Sequence, residues 1–193
     1  MKKTLALVGC VFSGTVLAES MKPNLTYAVA GSGYEYIQLG VKLPAKKTGQ
    51  GLIYLSQKSV ETDFLMLEDK DFKTTRLGVE VTSIEDRHGM GNIYLYSDES
   101  IYKYYERQGL GFGLGVSGGD ARLNPYAYGE INFEMFSTDW DKVPLTYNLQ
   151  AGIDYSFNRN VTLGVFLEHQ GFSDKELFNE NYSVLGLSVG ISM

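Results

Sequence analysis

Apolar and polar side chains alternate with a period of two over most of the chain. Between Leu145 and Phe157, one face holds Leu145, Tyr147, Leu149, Ala151, Ile153, Tyr155 and Phe157; the other holds Thr146, Asn148, Gln150, Gly152, Asp154 and Ser156. An extended chain sends successive side chains to opposite faces, so this segment predicts a strand with one apolar side and one polar or small side. The same pattern runs through 36–43, 76–82, 109–116, 127–135, 161–168 and 185–193. Leu25 to Ala30, Gly51 to Gln57 and Ile93 to Tyr96 are weaker strands, short or apolar on both faces. Ile101 to Tyr105 reads as an extension of the last of these after a break. Together the segments predict about ten strands, with eight as the alternative.

Counted back from the C-terminus, the connections tend to alternate between longer and shorter: 171–180 against 158–159, 137–143 against 118–123, 98–108 against 83–89, 58–73 against 44–50. Up-and-down barrels of the outer membrane have long loops on one side and short turns on the other. If both ends of the chain lie on the short-turn side, the strand count is even. The strand starting near Tyr34 then needs a partner before it, which Leu25 to Ala30 supplies through Gly31-Ser32-Gly33.

The polar face carries Lys42, Arg76, Glu80, Glu130, Glu134, Asp154 and Glu168 among many Gly, Ala and Ser. Leaving such charges unpaired in a dry apolar core would be very costly. Small residues suit the concave inside of a narrow barrel. The expected fold is therefore all-β: a single antiparallel up-and-down transmembrane β-barrel, with the apolar face toward lipid and a net acidic lumen that is closed or very narrow. If water passes, cations should pass more readily than anions. A soluble periplasmic barrel of lipocalin type, with its apolar face inside, is the alternative from the same strands. Tyr147 and Tyr155, near the two ends of one apolar face, fit an aromatic girdle.

The first residues change the cellular picture. Lys2 and Lys3 precede an apolar stretch from Leu5 to Leu17, and Val16-Leu17-Ala18 fits a small-residue cleavage site. These features predict a signal peptide over 1–18 and a barrel domain over 19–193, exported to the cell outer membrane of a Gram-negative bacterium. Leu7-Val8-Gly9-Cys10 also resembles a lipoprotein box, but the apolar run before Cys10 is shorter than an export signal needs. Cleavage after Ala18 removes the one Cys and with it any disulfide. No later run has the length of about 20 apolar residues that a spanning helix requires.

Composition agrees. The chain has 14 Tyr, 10 Phe and 22 Gly against 4 Pro, a balance that favours strands. A net charge of −6 disfavours nucleic acid, whose phosphates need a basic face.

The terminal segment YSVLGLSVGISM resembles the C-terminal recognition strand of outer-membrane barrels, although Met193 stands where that strand has an aromatic. That resemblance implies the barrel assembly machinery as a partner. YAVAGSGYEYIQLGVKLP and QAGIDYSFNRNVTLGVFLEHQGFSDKE are similar to the first and a late hairpin of YfaZ-type outer-membrane proteins. The likeness implies location and fold rather than an activity. The expected partners are outer-membrane lipid and lipopolysaccharide, and the expected state is a monomer.

Candidate chemistry is sparse. His169 ends a strand near the long-loop rim and parity turns it outward, with Ser173 and Asp174 following. A lipid-modifying enzyme centred there is the alternative function. His88 lies in a short turn. Asp139 and Asp141, and Glu68, Asp69 and Asp71, read as solvated loop charge rather than cation ligands. The glycines at 109, 111, 113 and 115 alternate with apolar residues instead of opening a helix, which argues against a phosphate loop. No catalytic residue, metal site or cofactor is expected, and the charged lumen is the constellation to follow.

Overall fold

The computed structural model describes residues 21–31, 33–43, 49–61, 72–83, 88–100, 105–118, 122–137, 145–172 and 181–193. The leader expected over 1–18 lies outside them. Ten strands follow one another: β1 (Lys22–Ala30), β2 (Tyr34–Lys42), β3 (Gly49–Val60), β4 (Phe72–Ser83), β5 (His88–Ser100), β6 (Tyr105–Ser117), β7 (Leu123–Ser137), β8 (Thr146–Ser156), β9 (Val161–Phe172) and β10 (Tyr182–Ser192). Each pairs antiparallel with its sequence neighbours, and β10 returns to β1 to close the barrel. The closing register puts Leu25 opposite Ile191 and Val29 opposite Leu187. Closure leaves no unpaired edge. With ten strands, β1 starts and β10 ends at the same end of the barrel, here the termini end.

The alternation decides which face goes where. Leu149, Ile153, Leu163 and Val165 are each about half exposed, at 53%, 50%, 48% and 49%, whereas Glu130 is 4% exposed. Leu77, Leu95, Leu114 and Leu187 join the outward belt. An apolar-in barrel of lipocalin type is thereby ruled out. On β8, Tyr147 and Tyr155 sit on the outward face near opposite ends, as expected of girdle residues.

Two sequence expectations need correction. The connection expected over 98–108 is far shorter, because β5 continues to Ser100 and β6 begins at Tyr105. Tyr105 therefore opens β6 instead of extending β5, and Ile101 to Tyr104 lie outside the described residues. The lumen is also less uniformly polar than the alternation suggests. Leu52, Tyr54, Val60, Tyr94 and Tyr96 are buried inside, which is why β3 and β5 read as apolar on both faces.

Local features adjust the ladder. Gly31 adopts φ 57°, a left-handed conformation open to glycine, where β1 turns into β2. The β6–β7 register shifts between Gln108 and Gly109, so that Gly109 opposes Glu134 while Gln108 opposes Phe136. A bulge of this kind breaks the period of two. Met135 and Phe136 consequently both face outward, at 56% and 58% exposed.

Candidate functional site: the charged lumen

The interior side chains form tiers. Toward the end opposite the termini, Lys58 on β3 reaches across to Glu168 on β9, Nζ to Oε1 at 3.1 Å. Its ammonium also donates to Gln170 Oε1 at 2.6 Å. The Tyr34 hydroxyl donates to Glu168 Oε2 at 2.9 Å, and the Tyr182 hydroxyl donates to Gln170 Oε1 at 2.6 Å. Lys58 is 6% exposed and Glu168 3%. Nearby, Arg107 donates to Asp98 through Nε at 2.8 Å and also through its terminal nitrogen, with Tyr96 beside the guanidinium.

A second tier lies deeper. Arg76 on β4 donates through one terminal nitrogen to both oxygens of Glu130 on β7, at 3.0 and 2.8 Å. Its guanidinium sits 4.5 Å from the Tyr94 ring centroid, an attractive cation–ring contact. Tyr94 donates to Asn132 Oδ1 at 2.6 Å, and Asn132 donates to Thr146 Oγ1 at 3.0 Å. These contacts tie β4, β5, β7 and β8 across the bore.

At the termini end the packing loosens. Lys42 donates to Ser192 Oγ at 2.7 Å, and Ser192 donates to Asn24 Oδ1 at 2.9 Å. Glu80 feels the Lys42 charge. Asp154 has no hydrogen-bond partner among the described residues. Thr26, Gln38, Lys42, Thr82, Asn124 and Ser188 are half-buried. By contrast, Val60, Thr74, Arg107, Thr146, Gln170 and Tyr182 at the opposite end are at most 9% exposed. A cavity of about 240 Å³ is lined by members of both tiers, Lys58 and Glu168 as well as Arg76 and Glu130, and by residues toward the termini end. It shares Thr26, Gln38, Glu80, Asn124, Asp154 and Ser188 with a vestibule of about 830 Å³ at that end. The described lumen is thus a one-sided chamber: roomy near the termini, filled by ion pairs and rings beyond the middle.

The sequence-predicted residues Lys42, Arg76, Glu80, Glu130, Asp154 and Glu168 all line this interior. Glu134 holds the half-buried register position opposite Gly109, outside the cavity lining. The structure does not join them into one ladder: Arg76 takes Glu130, and Glu168 takes a partner the sequence reading missed, Lys58. Asp98 and Arg107 were missed as well. All three continue the inward parity of their strands, the one signal that could have found them. Lys58 and Arg107 also shrink the expected excess of acid.

His169 faces outward on β9, with Nδ1 2.8 Å from Ser183 Oγ and its ring 6.0 Å from that of Tyr147. The serine beside it is therefore Ser183, on the paired strand β10. Ser173, Asp174 and the acidic loop residues Glu68, Asp69, Asp71, Asp139 and Asp141 lie outside the described residues. His88 opens β5 at the termini end. No group of metal-ligating side chains occurs among the described residues.

A closed antiparallel barrel with an apolar belt outside and a hydrogen-bonded, charged interior is the class this chain defines. No protein-family model matches it, and no curated protein does. Among solved structures, it is similar to the COG4313 outer membrane channel from Pseudomonas putida F1, at 11% identity and TM-score 0.47 over 93% of this chain and 97% of that one. The outer-membrane expressed OmpT of Vibrio cholerae shows 11% identity and TM-score 0.47 over 92% of this chain, which spans 62% of that chain. A KdgM porin shows 8% identity and TM-score 0.38 over 89% and 99%. Each is a likeness of barrel architecture.

Proposed function

We propose that the chain is a small outer-membrane β-barrel of a Gram-negative bacterium, porin-like or structural, whose chamber faces the periplasm and whose ion-paired tiers close the outer half. The observation that carries this reading is the polarity of the wall, with leucines and valines half exposed outside while Glu130, Glu168 and Lys58 are buried within. Water would not favour that outer surface, and hydrocarbon does. The leader-like N-terminus, the recognition-like terminal strand and the YfaZ-type layout support the same address. Lipid and lipopolysaccharide then surround the barrel, and the barrel assembly machinery inserts it.

Two outcomes are expected. The full chain expressed with its leader should stay in the pellet on carbonate extraction, and unheated protein should migrate apart from boiled protein on a gel. Release into the soluble fraction would remove the membrane reading. In planar bilayers the native protein should give at most small, rare, cation-preferring steps. Glu130→Gln should weaken that preference by leaving the Arg76 guanidinium uncompensated in the bore. Unaltered selectivity would show that ions do not pass this tier, and silence of both proteins would leave the structural version.

A further inference from the structure

The charges around the inner cavity do not cancel. Its lining holds Lys58, Arg76, Glu80, Glu130, Asp154 and Glu168. Lys58 is held by Glu168 and Arg76 by Glu130, so both cations are spent on carboxylates. Two acids remain. Glu80 feels the charge of Lys42, which lines the vestibule but not the inner cavity. Asp154 has neither a hydrogen bond nor an ion pair among the described residues. It is half-buried and lines both the cavity and the vestibule. Its carboxylate lies against Gly164, its ladder partner on β9, where a Cβ would collide with Oδ1. The same cavity is lined by aromatic residues, among them Tyr54, Tyr126, Tyr128 and Phe166. Tyr126 stands within reach of the Asp154 charge and packs against the cluster that holds Phe166.

We infer that this cavity is a binding site for a small organic cation, a primary ammonium with a short hydrocarbon tail, admitted from the termini end. An ammonium brings three donors and no acceptor, which suits a carboxylate with no donor of its own. The aromatic lining gives the tail an apolar surface and adds its own attraction for positive charge. Other solutes fit less well. An anion would meet two acids and no free cation. A neutral solute would leave the Asp154 charge uncompensated. A hard metal ion needs six or more oxygens, and no group of metal-ligating side chains occurs among the described residues. Size sets a further limit: a volume of about 240 Å³ falls below the range of about 300–1,000 Å³ typical of drug-sized ligands, so the tail is a few carbons long. The shared lining residues give a path in from the vestibule. The inference rests on the porin-like reading above for the side from which the cation enters.

The test is calorimetric titration of n-butylammonium chloride into the full-length protein in a polyoxyethylene detergent, which carries no charge. Sodium butyrate keeps the tail and reverses the charge; potassium chloride keeps the charge and lacks the tail. Saturable binding of n-butylammonium is expected, with neither other salt binding. Asp154→Asn should weaken it about tenfold or more. Lys42→Met, which withdraws the cation that competes for Glu80, should tighten it, a change of sign that general damage to the barrel would not produce. Ser183→Ala on the outer face should leave it unchanged. Each variant is first checked for a heat-dependent gel shift, and Glu80→Gln replaces Asp154→Asn if the latter fails to fold. No saturable heat, equal affinity in the native protein and the acid variant, weaker binding in Lys42→Met, or butyrate or potassium binding as tightly as n-butylammonium would overturn the site. A protein that keeps its gel shift and membrane retention but ignores n-butylammonium loses this inference alone, whereas loss of both properties removes the barrel reading.

Discussion

Replacing Glu168 by alanine is expected to lower the stability of the barrel by about 3–5 kcal/mol, the range for breaking a buried ion pair. The cost comes from what remains. Lys58 is 6% exposed and would keep Gln170 as its partner but lose its counter-charge. Tyr34 would lose its acceptor, while Tyr182 would keep Gln170. The measurement is the urea midpoint of the gel shift between folded and unfolded protein. An unchanged midpoint would mean that the pair does not hold β3 to β9. Replacing both partners, Lys58→Met with Glu168→Leu, should restore much of the loss, since similar-sized apolar side chains need no desolvation. The single and the double variant also separate stability from closure. Glu168→Ala should raise bilayer conductance by removing a side chain from the filled half, whereas the apolar double variant should stay closed. Equal conductance in all three would move the barrier to the Arg76–Glu130 tier or the Asp98–Arg107 pair.

How far the sequence revealed this site depends on what the inward residues are. Where they are polar or small, as in Thr146 to Ser156, alternation shows both the strand and its faces. Where they are aromatic, it vanishes. Ile93-Tyr94-Leu95-Tyr96 is unbroken apolar sequence, yet Tyr94 and Tyr96 are 2% and 4% exposed inside while Ile93 and Leu95 are about half exposed outside. A tyrosine in the bore satisfies its hydroxyl on a neighbouring polar group, as Tyr94 does on Asn132, so hydropathy alone cannot tell it from a lipid-facing ring. The charged residues at strand ends raise a different difficulty. Lys58, Asp98 and Arg107 lie beyond the readable core of their strands and resemble loop residues. Which charges meet is further removed still. Arg76 and Glu130 come from strands three apart around the wall, and Lys58 and Glu168 from strands four apart. Those encounters follow from barrel radius and stagger, which depend on all ten strands at once.

The glycine row of β6 leads to the other large effect: Gly111→Val is expected to prevent assembly of a heat-modifiable barrel, while Gly91→Ala leaves it intact. Gly109, Gly111, Gly113 and Gly115 all face the lumen, and each lies under a tyrosine. A Cβ on Gly109 would stand 2.7 Å from the Tyr96 hydroxyl oxygen, and one on Gly115 would stand 2.7 Å from Tyr128 Cδ2. On Gly111 it would enter the ring of Tyr94. That ring has nowhere to go, because Asn132 holds its hydroxyl and Arg76 covers its face. Overpacking a tight interior costs about 1–3 kcal/mol, and valine adds two further methyl groups against a tethered ring, so the upper end or beyond is expected. Gly91 faces outward, where a Cβ would meet only Leu114 Cδ2 at 4.0 Å. The specific cause is read from a cycle with Tyr94→Leu: if ring contact is the obstacle, Gly111→Val should cost less in the Tyr94→Leu background than in the native one. Equal cost in both would assign the glycine to backbone needs of β6 rather than to the ring it supports. The glycines that look like a phosphate loop along the chain would then owe their spacing to strand geometry alone, and the tyrosine tier would need another explanation for its fit.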